Sequence, residues 1–141
     1  MKTYVGNPRD RDWLVYVHKD GNKVVTRLNP RNDVINHSPD GFAWGFGGSG
    51  PAQLSLALLI DAWEGHCADY VPKAKSLYQH FKRRIIARIG QEEHWSMSDT
   101  MVRALSGLVE ADIVKTRAYP EMPPPSDVEI TFAKQAGIIK E

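Results

Sequence analysis

The N-terminal part of the chain alternates apolar and polar residues on both sides of a short polar turn. Two runs rich in β-branched and aromatic residues, WLVYV and VVTRL, flank the dipeptide Asp20-Gly21. Asp-Gly is typical of a type I′ hairpin turn, because both central residues of that turn take positive φ. The earlier run KTYVG predicts another strand, so these residues together predict a small antiparallel sheet.

The predicted turn also fixes the register of the hairpin. The pairs that a two-residue turn predicts are Val17 with Val24 and Val15 with Thr26. Because side chains alternate along a strand, Trp13 shares a face with Val15 and Val17 in this register. That face is expected to point into the core.

The segment PAQLSLALLIDAWEG at residues 51–65 is apolar nearly all round, which predicts a central buried helix. Pro51 suits the first helical position because it lacks a backbone N–H, and Gly50 or Ser49 is expected to cap the helix. Gly65 is expected to end it.

A second helix is predicted over VPKAKSLYQHFKRRIIARIG, between Pro72 and Gly90. It is amphipathic and basic, with six of the 18 Lys and Arg residues of the chain and no acidic residue between Val71 and Ile89. Its final turns, RRIIARI, are also compatible with a strand, because the helical period fades there. The predicted core stripe consists of Ala74, Leu77, Tyr78, Phe81, Ile85 and Ile89.

A third helix is predicted to begin after HWSMSD, with Ser96 or Ser98 as its cap. The residues predicted to face inward are Met101, Val102, Leu105 and Leu108. The fold class predicted is therefore α+β, with the hairpin sheet packed on the central helix and the basic helix. We assign residues 1–113 to this single domain.

Residues 114–141 are predicted to form a proline-rich linker and a short C-terminal helix. AYPEMPPPSD holds four of the nine prolines, and proline disfavours both helix interiors and central strands. A capping box from Ser126 to Glu129 and a stop at Gly137 predict the helix. This extension is expected to pack on the core or on a partner.

Composition narrows the function classes. The chain has 18 basic and 17 acidic residues, so its net charge favours neither a nucleic-acid binder nor a membrane binder. Cys67 is the single cysteine, which excludes an internal disulfide and favours a reducing compartment. No apolar run is long enough to span a membrane, and the N-terminus lacks the apolar core of a signal peptide. A cytoplasmic protein without membrane contact is predicted.

Catalytic and metal-binding patterns are not evident in the sequence. His37 lies beside Ser38, but neighbours in one turn cannot form a catalytic triad, whose members converge from separate places. Cys67 has no second thiol, and no metal-ligand spacing occurs. We predict no catalytic residue, metal or cofactor, and whether the protein is an enzyme stays open.

The glycine-rich segment from Gly45 to Gly50 is the strongest indication of a ligand. A helix N-terminus presents unpaired N–H groups and a positive dipole end, and glycines allow an anion close to the backbone. The segment lacks the Lys-Ser/Thr pair of a phosphate-binding P-loop and does not form a dinucleotide-binding fingerprint. The alternative is that the glycines only permit a tight turn and close packing of Trp44.

The basic helix offers a second feature for the same anion. On a helical wheel Lys73, His80, Arg84 and Arg88 lie along one flank of the apolar stripe, and Lys75 lies with Lys82 on the other. Arg84 or Arg88 is predicted to pair with phosphate, while Trp44 or Phe46 is predicted to stack on a base. The alternative is an ordinary solvated charged face.

The stretch GFAWGFGGSGPAQLSLA resembles the motif GFxWGxGGSGPAQLALA of a small uncharacterised domain found in bacteria, phages and prophages. That motif is followed in the family by YxxFKxxVI, and the resemblance covers residues 38–103. It carries no activity to transfer, and the proline-rich tail departs from the shorter family pattern. The resemblance implies that its motif residues act together: Phe42, Trp44, Gly45, Gly47, Gly48, Ser49, Gly50, Pro51 and Gln53. The ligand-binding residues predicted from these observations are Trp44, Phe46, Gly47, Gly48, Ser49, Gly50, Gln53, Arg84 and Arg88.

The order of elements also resembles that of viral ring nucleases, which bind cyclic oligoadenylates as dimers and suppress host immunity. Their glycine turn carries a His where this chain has Phe46 and Gly47, which argues against catalysis more than against binding. The leading hypothesis is a phage-type accessory protein that binds a phosphate-bearing, nucleotide-like ligand and sequesters or slowly cleaves a host-defence signal. A homodimer in the host cytoplasm fits this hypothesis.

Two other hypotheses stay open. The protein is alternatively an inhibitor of a host defence complex, such as a CRISPR effector, that acts through the basic helix and the tail. The third hypothesis is a structural domain with no ligand.

Overall fold

The computed structural model describes residues 1–8, 13–19, 21–39 and 41–116 of the 141-residue chain. Its α+β fold confirms the predicted class. The strands are β1 (Thr3–Gly6), β2 (Val15–Lys19), β3 (Val24–Arg27) and β4 (Trp95–Ser98). The helices are α1 (Ser49–Trp63), α2 (Tyr70–Arg84) and α3 (Asp99–Thr116), and a 3₁₀ turn covers Ile86–Arg88.

The four strands form one antiparallel sheet in the order β3-β2-β1-β4. The hairpin exists as predicted, but its register was wrong by two residues, because Val17 lies opposite Thr26 and Lys19 lies opposite Val24. The connection therefore spans four residues rather than two, with positive φ at Gly21 and Asn22. A shift of two residues keeps each side chain on its face, so Val15 and Val17 are still buried.

The prediction that Trp13 continues the face of Val15 and Val17 was wrong, because Trp13 precedes strand β2 and has a positive φ of 50°. Its ring packs on Trp44, with the ring centroids 4.8 Å apart. Trp44 in turn meets Trp95 of β4 edge to face at 5.6 Å. Gly6 lies opposite Trp95, and a Cβ at Gly6 would overlap the indole ring. A cluster of three tryptophans thus joins the sheet to the glycine-rich segment.

Helix α1 is central and buried, as predicted, with ten consecutive buried residues from Pro51 to Ile60. It begins two residues earlier than predicted, at Ser49, and Gly48 is the N-cap. The prediction that Ser49 or Gly50 caps the helix was therefore wrong. Helices α2 and α3 both pack against α1, so the core lies among the three helices and the inner face of the sheet.

Helix α2 ends at Arg84, and the following residues form a 3₁₀ turn instead of the helical or strand continuation considered from the sequence. Adjacent β-branched residues, Ile85 and Ile86, lower helix propensity at this point. All six residues of the predicted core stripe are nevertheless buried.

The segment HWSMSD contains strand β4, which the sequence analysis missed. Ser98 caps α3, because its Oγ accepts a hydrogen bond from the Met101 N–H at 3.0 Å, whereas Ser96 lies within β4. The inward prediction for Leu108 was wrong, since Leu108 is exposed and Val109 is buried. The face of α3 that meets the core contains Val102, Leu105 and Val109, at intervals of three and four residues.

Helix α3 continues to Thr116, three residues past the predicted domain boundary at residue 113. The predicted capping box at Ser126 and Glu129 lies outside the described residues. The division into a domain and an extension stays a prediction.

Candidate functional site

The glycine-rich segment packs tightly at both of its ends. Gly45 has a positive φ of 85°, and its N–H donates to the Ile86 carbonyl at 3.1 Å. A Cβ at Gly45 would lie 2.6 Å from the carbonyl oxygen of Ile89, and one at Gly50 would lie 2.7 Å from the Ala43 Cβ. These two glycines therefore have a packing role, which supports the alternative considered from the sequence.

The middle of the segment is different, because it lies at the surface. Gly47 and Ser49 are exposed, and the Phe46 side chain is 43% exposed. The Phe46 ring lies over Gly48, where a Cβ would come within 2.6 Å of it. The first turn of α1 has neither an acidic residue nor a side-chain cap, so its N–H groups keep their positive field.

Trp44 is fully buried between the other two tryptophans of the cluster. The prediction that Trp44 stacks on a base does not fit this position, because no face of the ring reaches solvent. The indole N–H groups of Trp44 and Trp95 have no hydrogen-bond partner within the described part of the chain. Their edge-to-face contact offers at most a weak N–H to π interaction.

Arg84 and Arg88, predicted to act together, have different environments. Arg84 is 3% exposed and forms an ion pair with Asp112, which ties α2 to α3. It is therefore a structural residue rather than a phosphate ligand. Arg88 is exposed in the 3₁₀ turn, between Ile86 and Ile89, whose carbonyl groups both lie against Gly45.

The two remaining members of the predicted basic flank, Lys73 and His80, contribute little free positive charge to this surface. Lys73 pairs with Glu110 at 3.2 Å and lies 4.4 Å from the centre of the Trp63 ring. Burial, together with the nearby Arg83 and Arg84 guanidinium groups, lowers the pKa of His80. His80 is therefore neutral at pH 7 and adds no charge to this surface.

Gln53 is fully buried in α1 and holds the loop that follows β3. Its side-chain oxygen accepts from the N–H groups of His37 at 2.8 Å and Ser38 at 3.2 Å. Its amide donates to the carbonyl groups of Pro30 and Ile35. All four hydrogen-bonding positions of the amide are used within the protein, so Gln53 positions the loop instead of touching a ligand directly.

A second contact fixes the same loop from the other side. His37 Nε2 lies 2.7 Å from the hydroxyl of Tyr78 in α2, and the two rings pack 5.5 Å apart. The loop is thereby anchored to both α1 and α2. Its backbone is held in place by these hydrogen bonds rather than by regular secondary structure.

This anchored loop forms one wall of a cleft of about 580 Å³, and the start of β2 and the end of β3 form the other. Among the residues that the structure describes, those lining the cleft are Leu14, Val15, Arg27, Leu28, Asn29, Pro30, Pro39, Gly41 and Phe42. Most of them are apolar, and Arg27 is the one ionisable side chain among them. Arg27 makes no ion pair or side-chain hydrogen bond with a described residue.

Sequence reasoning did not find this cleft. Gly41 and Phe42 belong to the glycine-containing sequence motif, but Arg27 lies 15 residues before Phe42 and was predicted only as part of a strand. The signal available was the combination of a β-strand ending in Arg with a loop rich in Asn and Pro. The position of that loop depends on the tertiary contacts of Gln53 and Tyr78, which no local pattern encodes.

A separate polar cluster connects the N-terminus to α1 and α3. Tyr4 donates to Asp61 at 2.7 Å, and Lys2 pairs with the same carboxylate at 3.0 Å. Burial and the adjacent Asp61 carboxylate raise the pKa of Tyr4 far above its usual value, so Tyr4 stays a neutral donor. This cluster has a structural role, since Tyr4 and Lys2 both satisfy the same Asp61 carboxylate.

The described residues contain no group of three or more His, Cys, Asp and Glu side chains placed to hold a metal ion. Among the same residues, no helix is long and apolar enough to cross a membrane. The structure is a small α+β fold with a cleft of about 580 Å³ beside the hairpin. The chain belongs to a family of unknown function, DUF6166, whose model matches residues 4–107.

The family model covers both strands of the hairpin, the cleft and the whole glycine-rich segment. No curated protein and no solved structure matches the chain. The phage origin and the resemblance to viral ring nucleases stay predictions.

Proposed function

We propose that this protein binds a phosphate-bearing, nucleotide-like small molecule in the cleft between the hairpin and the anchored loop. The observation that carries the proposal is the pairing of an apolar cleft with one cation that has no ion-pair partner among the described residues. Its volume of about 580 Å³ lies within the range of small-molecule sites, roughly 300–1,000 Å³. Such sites combine apolar walls with a few polar groups that orient the ligand.

Each part of the ligand has a matching group. The half-buried Phe42 ring offers an apolar surface for a base, as aromatic rings commonly do. Arg27 supplies a guanidinium that pairs with phosphate oxygens in a two-pronged geometry. The amide nitrogen of Asn29 is a further donor, because its Oδ1 already accepts from the Arg31 N–H at 3.0 Å.

The cleft is preformed, which favours binding over chemistry that needs large movement. Gln53 and the His37–Tyr78 contact hold the loop in place before any ligand arrives. A preorganised wall spares the ordering cost that binding would otherwise include. This gives Gln53 an indirect part in the predicted site.

The biological setting proposed is that of a phage or prophage accessory protein. There the protein would sequester, or slowly cleave, a nucleotide signal of host defence. The setting depends on the sequence resemblance of residues 38–103 alone. We place sequestration first, because the described residues that line the cleft include no side chain suited to nucleophilic or general-base catalysis.

The inhibitor hypothesis ranks second. The exposed part of α2 is basic, and a mimic of nucleic acid would instead present negative charge. A basic surface fits a partner with an acidic face, which a CRISPR effector that binds nucleic acid does not offer at its nucleic-acid site. The hypothesis without a ligand predicts that nothing binds the cleft.

Thermal shift against nucleoside mono-, di- and triphosphates and cyclic oligonucleotides tests the proposal. A ligand at one hundred times its Kd stabilises the folded state by about 2.7 kcal/mol, which a melting curve resolves. Arg27→Glu is expected to remove the shift, because it replaces the phosphate partner with a carboxylate. Lys23→Glu, which makes the same charge change on an exposed residue outside the cleft, is the matched control.

Two results would contradict the proposal. If no compound of the panel shifts the melting temperature, the cleft does not bind nucleotides, and capture of a protein partner becomes the next test. If Arg27→Glu retains full affinity for a ligand that does bind, the ligand lies elsewhere on the protein.

A further inference from the structure

Helix α2 and the 3₁₀ turn after it carry positive charge that no described carboxylate neutralises. Residues 70–91 contain six Lys and Arg residues and no Asp or Glu. Two of the six are neutralised, since Lys73 pairs with Glu110 and Arg84 with Asp112. The remaining four make no ion pair within the described part of the chain: Lys75, Lys82, Arg83 and Arg88.

The helical period places three of these four side chains on the half of α2 that faces away from the core. Lys75 and Lys82 are seven residues apart, which is about two turns and about 10.5 Å along the helix axis. Arg83 lies beside them on the side opposite the buried Leu77 and Phe81. We call the four residues Lys75, Lys82, Arg83 and Arg88 the α2 basic face.

An exposed aromatic ring lies next to the end of this face. Arg88 is flanked by Ile86 and Ile89, whose carbonyl oxygens both lie against Gly45. Phe46 directly follows Gly45 and is 43% exposed, a larger exposed fraction than that of any other described aromatic residue. Arg88 and Phe46 are therefore brought close together in the chain's packing, where the 3₁₀ turn after α2 meets the glycine-rich segment.

We propose that the α2 basic face and Phe46 bind single-stranded nucleic acid. Lysine and arginine side chains neutralise successive phosphates, and an exposed ring stacks on a base that is not paired. A duplex hides the faces of its bases and leaves Phe46 without a role, whereas an acidic peptide offers no base to stack. The proposal is independent of the cleft, since no residue of the α2 basic face lines it.

The balanced net charge of the chain does not oppose this proposal. Phosphate binding depends on local cations, and the field of exposed charges decays within about 10 Å at 0.1 M salt. The described acidic residues make no ion pair with the four cations of this face.

Fluorescence anisotropy with the full chain and a labelled 20-nucleotide oligothymidylate tests the proposal. Four phosphate contacts give a slope of log K against log salt of about −0.7 each, so affinity falls about 50-fold between 50 mM and 200 mM salt. The double variant Lys82→Glu with Arg83→Glu is expected to lose at least about ten-fold in affinity and to flatten the slope. The matched control is Lys19→Glu with Lys23→Glu, which has the same net charge and leaves the α2 basic face intact.

Phe46→Ala separates stacking from charge. It is expected to weaken binding about five-fold or more while leaving the salt slope unchanged, because stacking releases no counterions. Leu108→Ala, another exposed apolar residue, is expected to change neither. Circular dichroism checks that each variant folds. If the charge-reversal double variant Lys82→Glu with Arg83→Glu does not fold, the neutral double variant Lys75→Gln with Lys82→Gln takes its place.

Four results would overturn the proposal. They are absence of binding at 50 mM salt, equal loss in the control double variant, tighter binding of a duplex of the same length, and equal binding of a polyglutamate peptide. Arg27→Glu keeps the two proposals apart. It should leave oligothymidylate binding unchanged even where it removes a nucleotide from the cleft.

Discussion

Residues 44–53 form one motif in the sequence but two regions in the molecule. The ends of the motif, Trp44 and Gln53, are fully buried and organise the core and the anchored loop. The middle, from Phe46 to Ser49, lies at the surface and packs against few other parts of the protein. A compact sequence motif therefore need not be a single binding site. Some of its residues support the fold around the site instead of contacting a ligand.

Trp44→Ala is expected to have the largest effect on stability. Removing a fully buried indole that packs on Trp13 and Trp95 leaves a cavity, and such changes cost about 3–5 kcal/mol. Urea unfolding followed by circular dichroism measures the loss. Phe46→Ala, two residues away, is the matched control and should cost well under half as much, because Phe46 is 43% exposed whereas Trp44 is fully buried. Equal losses at the two positions would erase the distinction between the regions.

Gln53→Glu is expected to cost about 3 kcal/mol, because a carboxylate cannot donate to the carbonyl groups of Pro30 and Ile35. The loop should loosen, so hydrogen exchange at His37 and Ser38 should rise and the cleft should lose its wall. Gln79→Glu on α2, whose side chain makes no hydrogen bond to a described residue, makes the same chemical change as a control. If Gln53→Glu is as stable as wild type and its hydrogen exchange is unchanged, the loop keeps its conformation without the hydrogen bonds of Gln53.

The sequence predicted the elements that depend on local chemistry. The hairpin, the buried α1, the apolar stripe of α2 and the Ser98 cap all follow from period, turn residues and capping, and all four exist. Strand β4 was missed because WSMS is short and its pairing partner β1 lies about 90 residues away in sequence. Periodicity carries no information about such a contact.

The candidate site was predictable only in part, for the same reason. The motif marked the correct stretch of chain, but polarity and glycine content did not reveal which members were buried. Arg84 was expected on a surface because α2 is amphipathic, and its burial depends on Asp112 of α3, which the helical wheel of α2 cannot show. The cleft depends on four hydrogen bonds of one glutamine, which no local pattern encodes.

Gly45→Ala is expected to cost about 2 kcal/mol. Its φ of 85° is unfavourable for a residue with a Cβ, by about 1–2 kcal/mol, and the added carbon also meets the Ile89 carbonyl at 2.6 Å. The backbone there cannot move freely, because Gly45 donates a hydrogen bond to Ile86. The change in unfolding free energy measures this cost. Wild-type stability would mean that the 86–91 segment adjusts easily and that Gly45 is not a packing residue.

Gly47→Ala is expected to have the smallest effect, within about 0.5 kcal/mol of wild type. Gly47 has no positive φ, and a Cβ there would meet nothing within 4 Å. Alanine also restricts the unfolded chain, which offsets part of any strain in the folded state. Gly45→Ala makes the same chemical change two residues earlier, so any difference in stability between the two variants comes from their positions in the fold. If Gly47→Ala leaves stability intact but lowers the affinity for a nucleotide or an oligothymidylate, the exposed middle of the motif binds that ligand through its backbone. If it destabilises as much as Gly45→Ala, the whole segment is scaffold and the comparison between its two regions fails.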